Sequence, residues 1–228
     1  MFKAVLNVVF PTSCLHCEEV LASPRERLCA HCLEQMTLVE PEGRCRRCFA
    51  EMDEGRCARC IERGSPFKRV VAAFEYDGPA ASLMRALKFG KREELAKDLA
   101  SWMVVQFLRL DLPLPDLIVP VPQSWVRRLA RGYSQSLLIA KEVGALLERP
   151  VEELLRKRIG DFPQTGLSKK AREKLSSNAF QWKRGGQISD KSVLLVDDVM
   201  TTGATLRACA RVLEEGFPSA LYALTFCV

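Results

Sequence analysis

The sequence predicts an α/β fold in which a parallel sheet is flanked by helices and preceded by a small cysteine-rich domain. Three observations predict it. Short apolar runs alternate with longer segments whose apolar residues recur every three or four positions, the pattern of strands alternating with helices. The run Val193-Leu194-Leu195-Val196 is apolar throughout, as a strand covered on both faces must be, and a polar turn and a helix follow it at once. Eight of the ten cysteines lie within the first 60 residues, all in CxxC pairs.

At 228 residues the chain is long enough for one α/β domain and an appendage. The stretch Arg63-Gly64-Ser65-Pro66 reads as a linker, dividing the chain into 1–64 and 65–228. Met1 to Phe10 is a short apolar stretch with one lysine and no small-residue cleavage site before Pro11. It reads as an amphipathic helix, not a signal peptide. No apolar run approaches the ~20 residues that span a bilayer, so a cytoplasmic protein is expected.

The cysteine pairs are Cys14/Cys17, Cys29/Cys32, Cys45/Cys48 and Cys57/Cys60. In a reducing compartment they read as zinc ligands, because two thiolates on one tight turn reach one tetrahedral ion. Four pairs complete two sites. Sequential pairing is the first choice, with a cross-braced arrangement as the alternative. His16 and His31 stand beside Cys17 and Cys32 as substitute ligands. Few aliphatic residues separate the knuckles, so metal must supply the folding energy. The ribbon is then expected to unfold alone in a Cys14→Ser, Cys17→Ser variant, leaving the α/β part folded. Cys209 and Cys227 fall in apolar periodic segments and read as core.

After the linker, Val70 to Tyr76 reads as a strand, and Asp77-Gly78-Pro79 as a turn with a proline suited to a helix start. Helices follow over Ala80 to Lys88 and Glu93 to Leu110. In the second of these, Leu95, Leu99, Trp102, Val105 and Leu108 form one apolar stripe. Leu117 to Val121 is a strand and Ser136 to Leu147 a helix. Phe162 to Asn178 has no period and reads as a long mobile loop. Ala179 to Trp182 and Ser192 to Val196 are strands, Thr205 to Glu215 is a helix, and Ala220 to Val228 is a closing strand.

The net charge is +6. Residues 151–191 carry ten basic and five acidic side chains, so this segment alone holds +5. Such a balance suits phosphate or nucleic-acid partners. Aromatic residues for base stacking are sparse, and Trp125, Tyr133, Phe162 and Trp182 are the candidates near basic residues.

The chemistry concentrates at the end of the buried strand. Asp197 and Asp198 stand at its carboxyl end, where open parallel sheets bind ligands. Thr201-Thr202-Gly203-Ala204-Thr205 then forms a turn opening a helix, whose N–H groups and dipole favour an anion. The threonine hydroxyls add donors for phosphate oxygens, and the carboxylates accept from vicinal ribose hydroxyls. This run resembles the phosphoribosyl pyrophosphate (PRPP) motif of type I phosphoribosyltransferases. Arg127, Arg128 and Arg131 follow a second strand end, and guanidinium forks match a pyrophosphate. The basic segment around Lys169, Lys170 and Arg172 could close over the site and exclude water. Lys88, Lys91 and Arg92 follow an apolar helix and suit either a phosphate or open solvent.

Taken together, the motifs resemble the ComF family over nearly the whole chain. They are the double CxxC units, Tyr76-Asp77-Gly78, Ala86-Leu87-Lys88-Phe89, Val119-Pro120-Val121-Pro122, Arg131-Gly132-Tyr133-Ser134-Gln135, Gln164-Thr165-Gly166-Leu167-Ser168 and the PRPP run. Tyr133 and Ser134 replace the family's usual Phe and Asn, and Gln123-Ser124 stand where a histidine is often found. The resemblance implies a type I phosphoribosyltransferase-like domain behind a double zinc ribbon, with PRPP and Mg²⁺ as ligands. It also implies a role in natural transformation, handling internalised single-stranded DNA, with a helicase or DNA-processing protein as a further partner. In a catalytic domain Asp197 and Asp198 would orient the ribose beside the developing oxocarbenium ion. Two other functions fit the same residues: a non-catalytic nucleic-acid or protein-binding adaptor, and a nucleobase-salvage phosphoribosyltransferase.

Overall fold

The computed structural model describes residues 12–158, 179–183 and 186–228, the side chain of Arg127 excepted. The expected helix over Met1 to Phe10 and the loop from Phe162 to Asn178 lie outside them.

Two short helices belong to the cysteine-rich part, α1 (Ala30–Glu34) and α2 (Ala58–Arg63). The α/β part then runs β1 (Arg69–Phe74), α3 (Gly78–Phe89), α4 (Leu95–Arg109), β2 (Leu117–Pro120), α5 (Trp125–Arg131), α6 (Gln135–Leu147), β3 (Leu155–Lys157), β4 (Phe180–Trp182), β5 (Ser192–Val199), α7 (Ala204–Glu214) and β6 (Ala220–Cys227). Strands β1, β6, β5 and β2 form one parallel sheet in that order. Both central strands are apolar on both faces, as predicted for a sheet covered from two sides.

Alternation along the strands sorts two cores. Val71, Ala73, Ile118, Leu194, Val196, Leu224 and Phe226 face one way, against Leu83, Met84 and Leu87 of α3, Leu99 and Phe107 of α4, and Ile139 and Val143 of α6. Val70, Ala72, Leu117, Val119, Val193, Leu195, Leu221 and Ala223 face the other, against Leu206, Cys209, Ala210 and Leu213 of α7. Cys209 and Cys227 are core residues, as expected.

The strand expected over Ala179 to Trp182 does not join this sheet. Its residues form β4, which pairs antiparallel with β3 in a separate two-stranded sheet. Phe180, Leu154 and Leu155 pack that sheet onto the α7 side of the core. Each strand has three residues, too short for a period to register in sequence.

The ribbons are not separate from the α/β core. Leu21, Leu28 and Met36 of the first ribbon are buried in the same cluster as Met84, Leu87 and Leu99. Val39, between the two ribbons, donates its N–H to the carbonyl of Ala73 at 2.8 Å, and the fully buried Gln106 amide donates to Val39 O at 2.6 Å. Phe49 of the second ribbon enters the opposite core. The expectation of an independently unfolding ribbon is therefore revised. Its apolar side chains complete the core of its neighbour.

Candidate functional site

Sequential pairing describes the cysteine clusters. The Sγ atoms of Cys14, Cys17, Cys29 and Cys32 all lie within 4.8 Å of one another, and so do those of Cys45, Cys48, Cys57 and Cys60. Cys17 and Cys29 sulfurs are 3.6 Å apart, and Cys48 and Cys57 sulfurs 3.4 Å. A Zn–S bond of ~2.3 Å gives a tetrahedral S···S edge of about 3.8 Å, so each set of four thiols fits one zinc ion. The histidines have other partners. His16 Nδ1 lies 3.0 Å from Ser82 Oγ, and His31 Nε2 lies 3.0 Å from Gln35 Nε2.

At the carboxyl end of β5 the two predicted carboxylates differ in surroundings. Asp198 Oδ2 forms an ion pair with Lys88 Nζ at 3.1 Å, at 12% and 18% side-chain exposure. Lys88 ends α3, and sequence reading left it between a ligand contact and a solvated face. The pair places it inside the site. Asp197 stands beside Thr225 of β6 in register, and its Oδ1 accepts from the Asp198 N–H at 2.9 Å. Asp197 is half-buried, and the packing around its carboxyl still pushes it well above the usual carboxylate range, with the neighbouring Asp198 charge raising it further.

This difference predicts opposite effects on stability. A raised folded-state value means that the folded protein holds the Asp197 proton more tightly than the unfolded chain. Its stabilising contribution is complete below the ordinary carboxylate range and is lost as pH rises through the raised value. At neutral pH Asp197→Asn is therefore expected to raise the melting temperature, and at pH 3 the gain should vanish. Asp198→Asn strands the Lys88 ammonium and is expected to cost about 1–3 kcal/mol. Thermal melts of both variants check the signs.

The turn Thr201 to Gly203 leads from β5 into α7. Gly203 caps that helix at φ +69°, a left-handed conformation that side chains rarely adopt. A Cβ there would stand 3.2 Å from Arg207 Nη1, so the Arg207 side chain folds back along the turn. Thr202 Oγ1 accepts from Ala204 N–H at 3.4 Å. Thr201, Thr202 and Thr205 are exposed, Gly203 and Ala204 half-buried. The turn thus presents threonine hydroxyls to solvent at the positive end of an eleven-residue helix, with its first N–H held on Thr202 Oγ1.

A second group forms after β2. Gln135 is fully buried, and its Oε1 accepts from Gln123 Nε2 and, at 3.0 Å, from Arg131 Nη1. Arg131 also stacks over the Phe89 ring at 5.1 Å. Because Phe89 follows Lys88, the end of α3 touches both the acid pair and the arginine group. Arg128 is exposed on α5, the Arg127 side chain is outside the described residues, and so are Lys169, Lys170 and Arg172. Tyr133 cannot stack on a base, since it is buried and its hydroxyl donates to Leu87 O. Trp182 packs against the core beneath β4. Trp125 on α5, at 60% exposure, and Phe89 at the end of α3, at 73%, are exposed aromatic side chains. Arg207 beside the turn was missed, since a basic residue one turn into a helix carries no distinctive spacing.

The order of the two parts agrees with the family models that match the chain. Residues 134–227 match the phosphoribosyl transferase domain model, and residues 5–70 match the double zinc ribbon domain model. Competence protein F of Haemophilus influenzae is 28% identical over 214 residues, covering 90% of this chain and 92% of that protein. DNA utilization protein YhgH of Escherichia coli O6:H1 is 30% identical over 158 residues, covering 67% of this chain and 69% of that protein. The purine phosphoribosyltransferase of Pyrococcus horikoshii Ot3 aligns with 60% of this chain and 71% of its own at 15% identity, with a TM-score of 0.35.

Proposed function

This chain belongs to the ComF family, and from that premise we propose that it is a PRPP-binding, phosphoribosyltransferase-like protein acting on single-stranded DNA during DNA uptake. The observation that carries this reading is the adjacency of the Asp197-Asp198 pair to the phosphate cradle of Thr201 to Thr205. A ribose 5-phosphate needs those two groups one sugar apart: carboxylates for the vicinal hydroxyls, and helix N–H donors for the phosphate. Asp197 and Asp198 take the ribose. Thr201, Thr202, Gly203, Ala204 and Thr205 take the 5-phosphate, and Arg131, with Arg127 and Arg128, meets the pyrophosphate. We assign the ribbons to residues 1–64 and the phosphoribosyltransferase-like domain to 65–228.

The carboxylates of Asp197 and Asp198 are hard oxygen donors that fit Mg²⁺, the ion that accompanies a pyrophosphate. When bound with the ligand, Mg²⁺ neutralises pyrophosphate charge. Asp197 and Asp198 orient the sugar and hold negative charge near C1, where an oxocarbenium ion develops as the bond to pyrophosphate breaks. Arg131, fixed by Gln135 and Phe89, is preorganised for the departing anion.

The DNA part rests on the names of the relatives and on the ridge beside the site. Helix α5 exposes Trp125, Val126 and Leu129 with Arg128, and Phe89 lies next to it under Arg131. Exposed aromatics interleaved with arginines suit unpaired bases and their phosphates. Anisotropy of a labelled single-stranded oligonucleotide tests this. Binding that weakens steeply between 50 and 200 mM salt, and by about tenfold in Trp125→Ala, is expected. No binding at 50 mM salt would remove DNA from the proposed function.

A further inference from the structure

The Lys88–Asp198 pair is an unusual occupant for a sugar site. An ammonium stands 3.1 Å from one of the two carboxylates proposed for the ribose, with both side chains mostly buried. Lys88 is also the residue before Phe89, whose ring supports the Arg131 guanidinium at 5.1 Å. The end of α3 thus reaches the acid pair through Lys88 and the arginine group through Phe89.

From this position we infer that Lys88 is a ligand-exchanging cation. In the free protein it neutralises Asp198, so that two adjacent acids can share a buried strand end. When PRPP binds, Asp198 would turn to the ribose hydroxyls and would help to hold the divalent ion that accompanies the pyrophosphate. The ammonium then turns to an anionic oxygen of the pyrophosphate. A lysine suits this exchange better than an arginine, because its compact head carries three donors on a flexible stem. In the empty site the same ammonium repels a bare divalent ion and reserves the carboxylates for the complete ligand. Lys88 is thus a specificity-determining residue, favouring the metal–PRPP complex over the metal alone. The inference rests on the phosphoribosyl reading of the site.

The two roles act with opposite sign on two ligands, and a merely structural lysine would not. Mn²⁺ alone and Mn²⁺ with PRPP are titrated into the full chain by calorimetry, in wild type and in Lys88→Met. Loss of the ammonium removes a repulsion from the bare ion and a charge-assisted contact from the complex. Mn²⁺ alone is expected to bind about tenfold tighter, and Mn²⁺–PRPP about tenfold weaker. Lys88→Gln keeps a polar head and is the second variant, read in the same way if Lys88→Met does not fold. Lys88→Arg keeps the charge and should hold bare Mn²⁺ at the wild-type level. Equal affinities in wild type and variant, or a loss for both ligands, would overturn the role of Lys88 alone. Absence of any PRPP binding by the wild type would overturn the phosphoribosyl reading and this inference with it.

Discussion

Loss of the first zinc site is expected to unfold the α/β core along with the ribbon. In Cys14→Ser with Cys17→Ser, two of four ligands are gone, and a structural zinc contributes on the order of 10–16 kcal/mol to folding a small ribbon. The consequence spreads because Leu21, Leu28 and Met36 are buried against α3 and α4 through that ribbon, with Leu15 packed beside them. Re-exposing four such side chains costs about 6–12 kcal/mol at ~1.5–3 kcal/mol each. That matches the ~5–15 kcal/mol net stability of an entire domain. Further ties break at the same time, among them the Arg27–Asp98 ion pair at 3.4 Å and the His16–Ser82 contact. The second site differs. Cys45, Cys48 and Cys57 form a small cluster of their own with Ala50 and Met52. Cys57→Ser with Cys60→Ser should therefore perturb the sheet less, chiefly through Phe49, which enters the α7-side core. Far-ultraviolet circular dichroism melts of both double variants, with zinc content measured on each, check the contrast. A wild-type α/β transition surviving in Cys14→Ser, Cys17→Ser would show two independent modules.

Breaking the cradle at Gly203 is expected to abolish phosphate binding with little effect elsewhere. Gly203 holds φ +69°, and a β-branched residue there is strained by about 1–2 kcal/mol. Its Cβ also meets Arg207 Nη1 at 3.2 Å. Gly203→Val must therefore shift the turn that aims the first N–H groups of α7, and it displaces Arg207 as well. Each lost donor to a buried phosphate costs about 1.5–3 kcal/mol, so two lost donors give a fall of 100-fold or more in affinity for PRPP. Thr202→Val removes one hydroxyl and should cost about tenfold. Equilibrium dialysis against labelled PRPP measures both. Unchanged affinity in Gly203→Val would place the phosphate elsewhere.

The strand–acid pair–turn–helix run was legible because its signals are local: four apolar residues, two acids, then a glycine turn into a periodic helix. The cysteine pairs were legible for the same reason, although their sequential grouping needed the fold. What escaped the sequence depends on contacts between distant segments. Lys88 at the end of an apolar helix suits a phosphate and open solvent equally until α3 is placed against β5, where it pairs with Asp198. Tyr133 looks like a stacking aromatic until its hydroxyl finds the carbonyl of Leu87. Leu21, Leu28 and Met36 are too scattered among charges to announce an apolar face, so the ribbon read as separable. The β3–β4 pair was half seen, since Ala179 to Trp182 read as a strand while its three-residue partner has no pattern to find.

The end of β5 and the start of α7 are proposed to bind a ribose 5-phosphate together. Calorimetric titration of PRPP with Mg²⁺ into wild type and Asp197→Asn/Asp198→Asn tests it most directly, with zinc content and melting temperature measured on both proteins. The wild type is expected to bind saturably at one site and the double variant at least 100-fold more weakly, because the ribose hydroxyls lose both carboxyl acceptors. A folded, zinc-loaded wild type that takes up no PRPP, or a double variant that binds it equally well, would contradict the account.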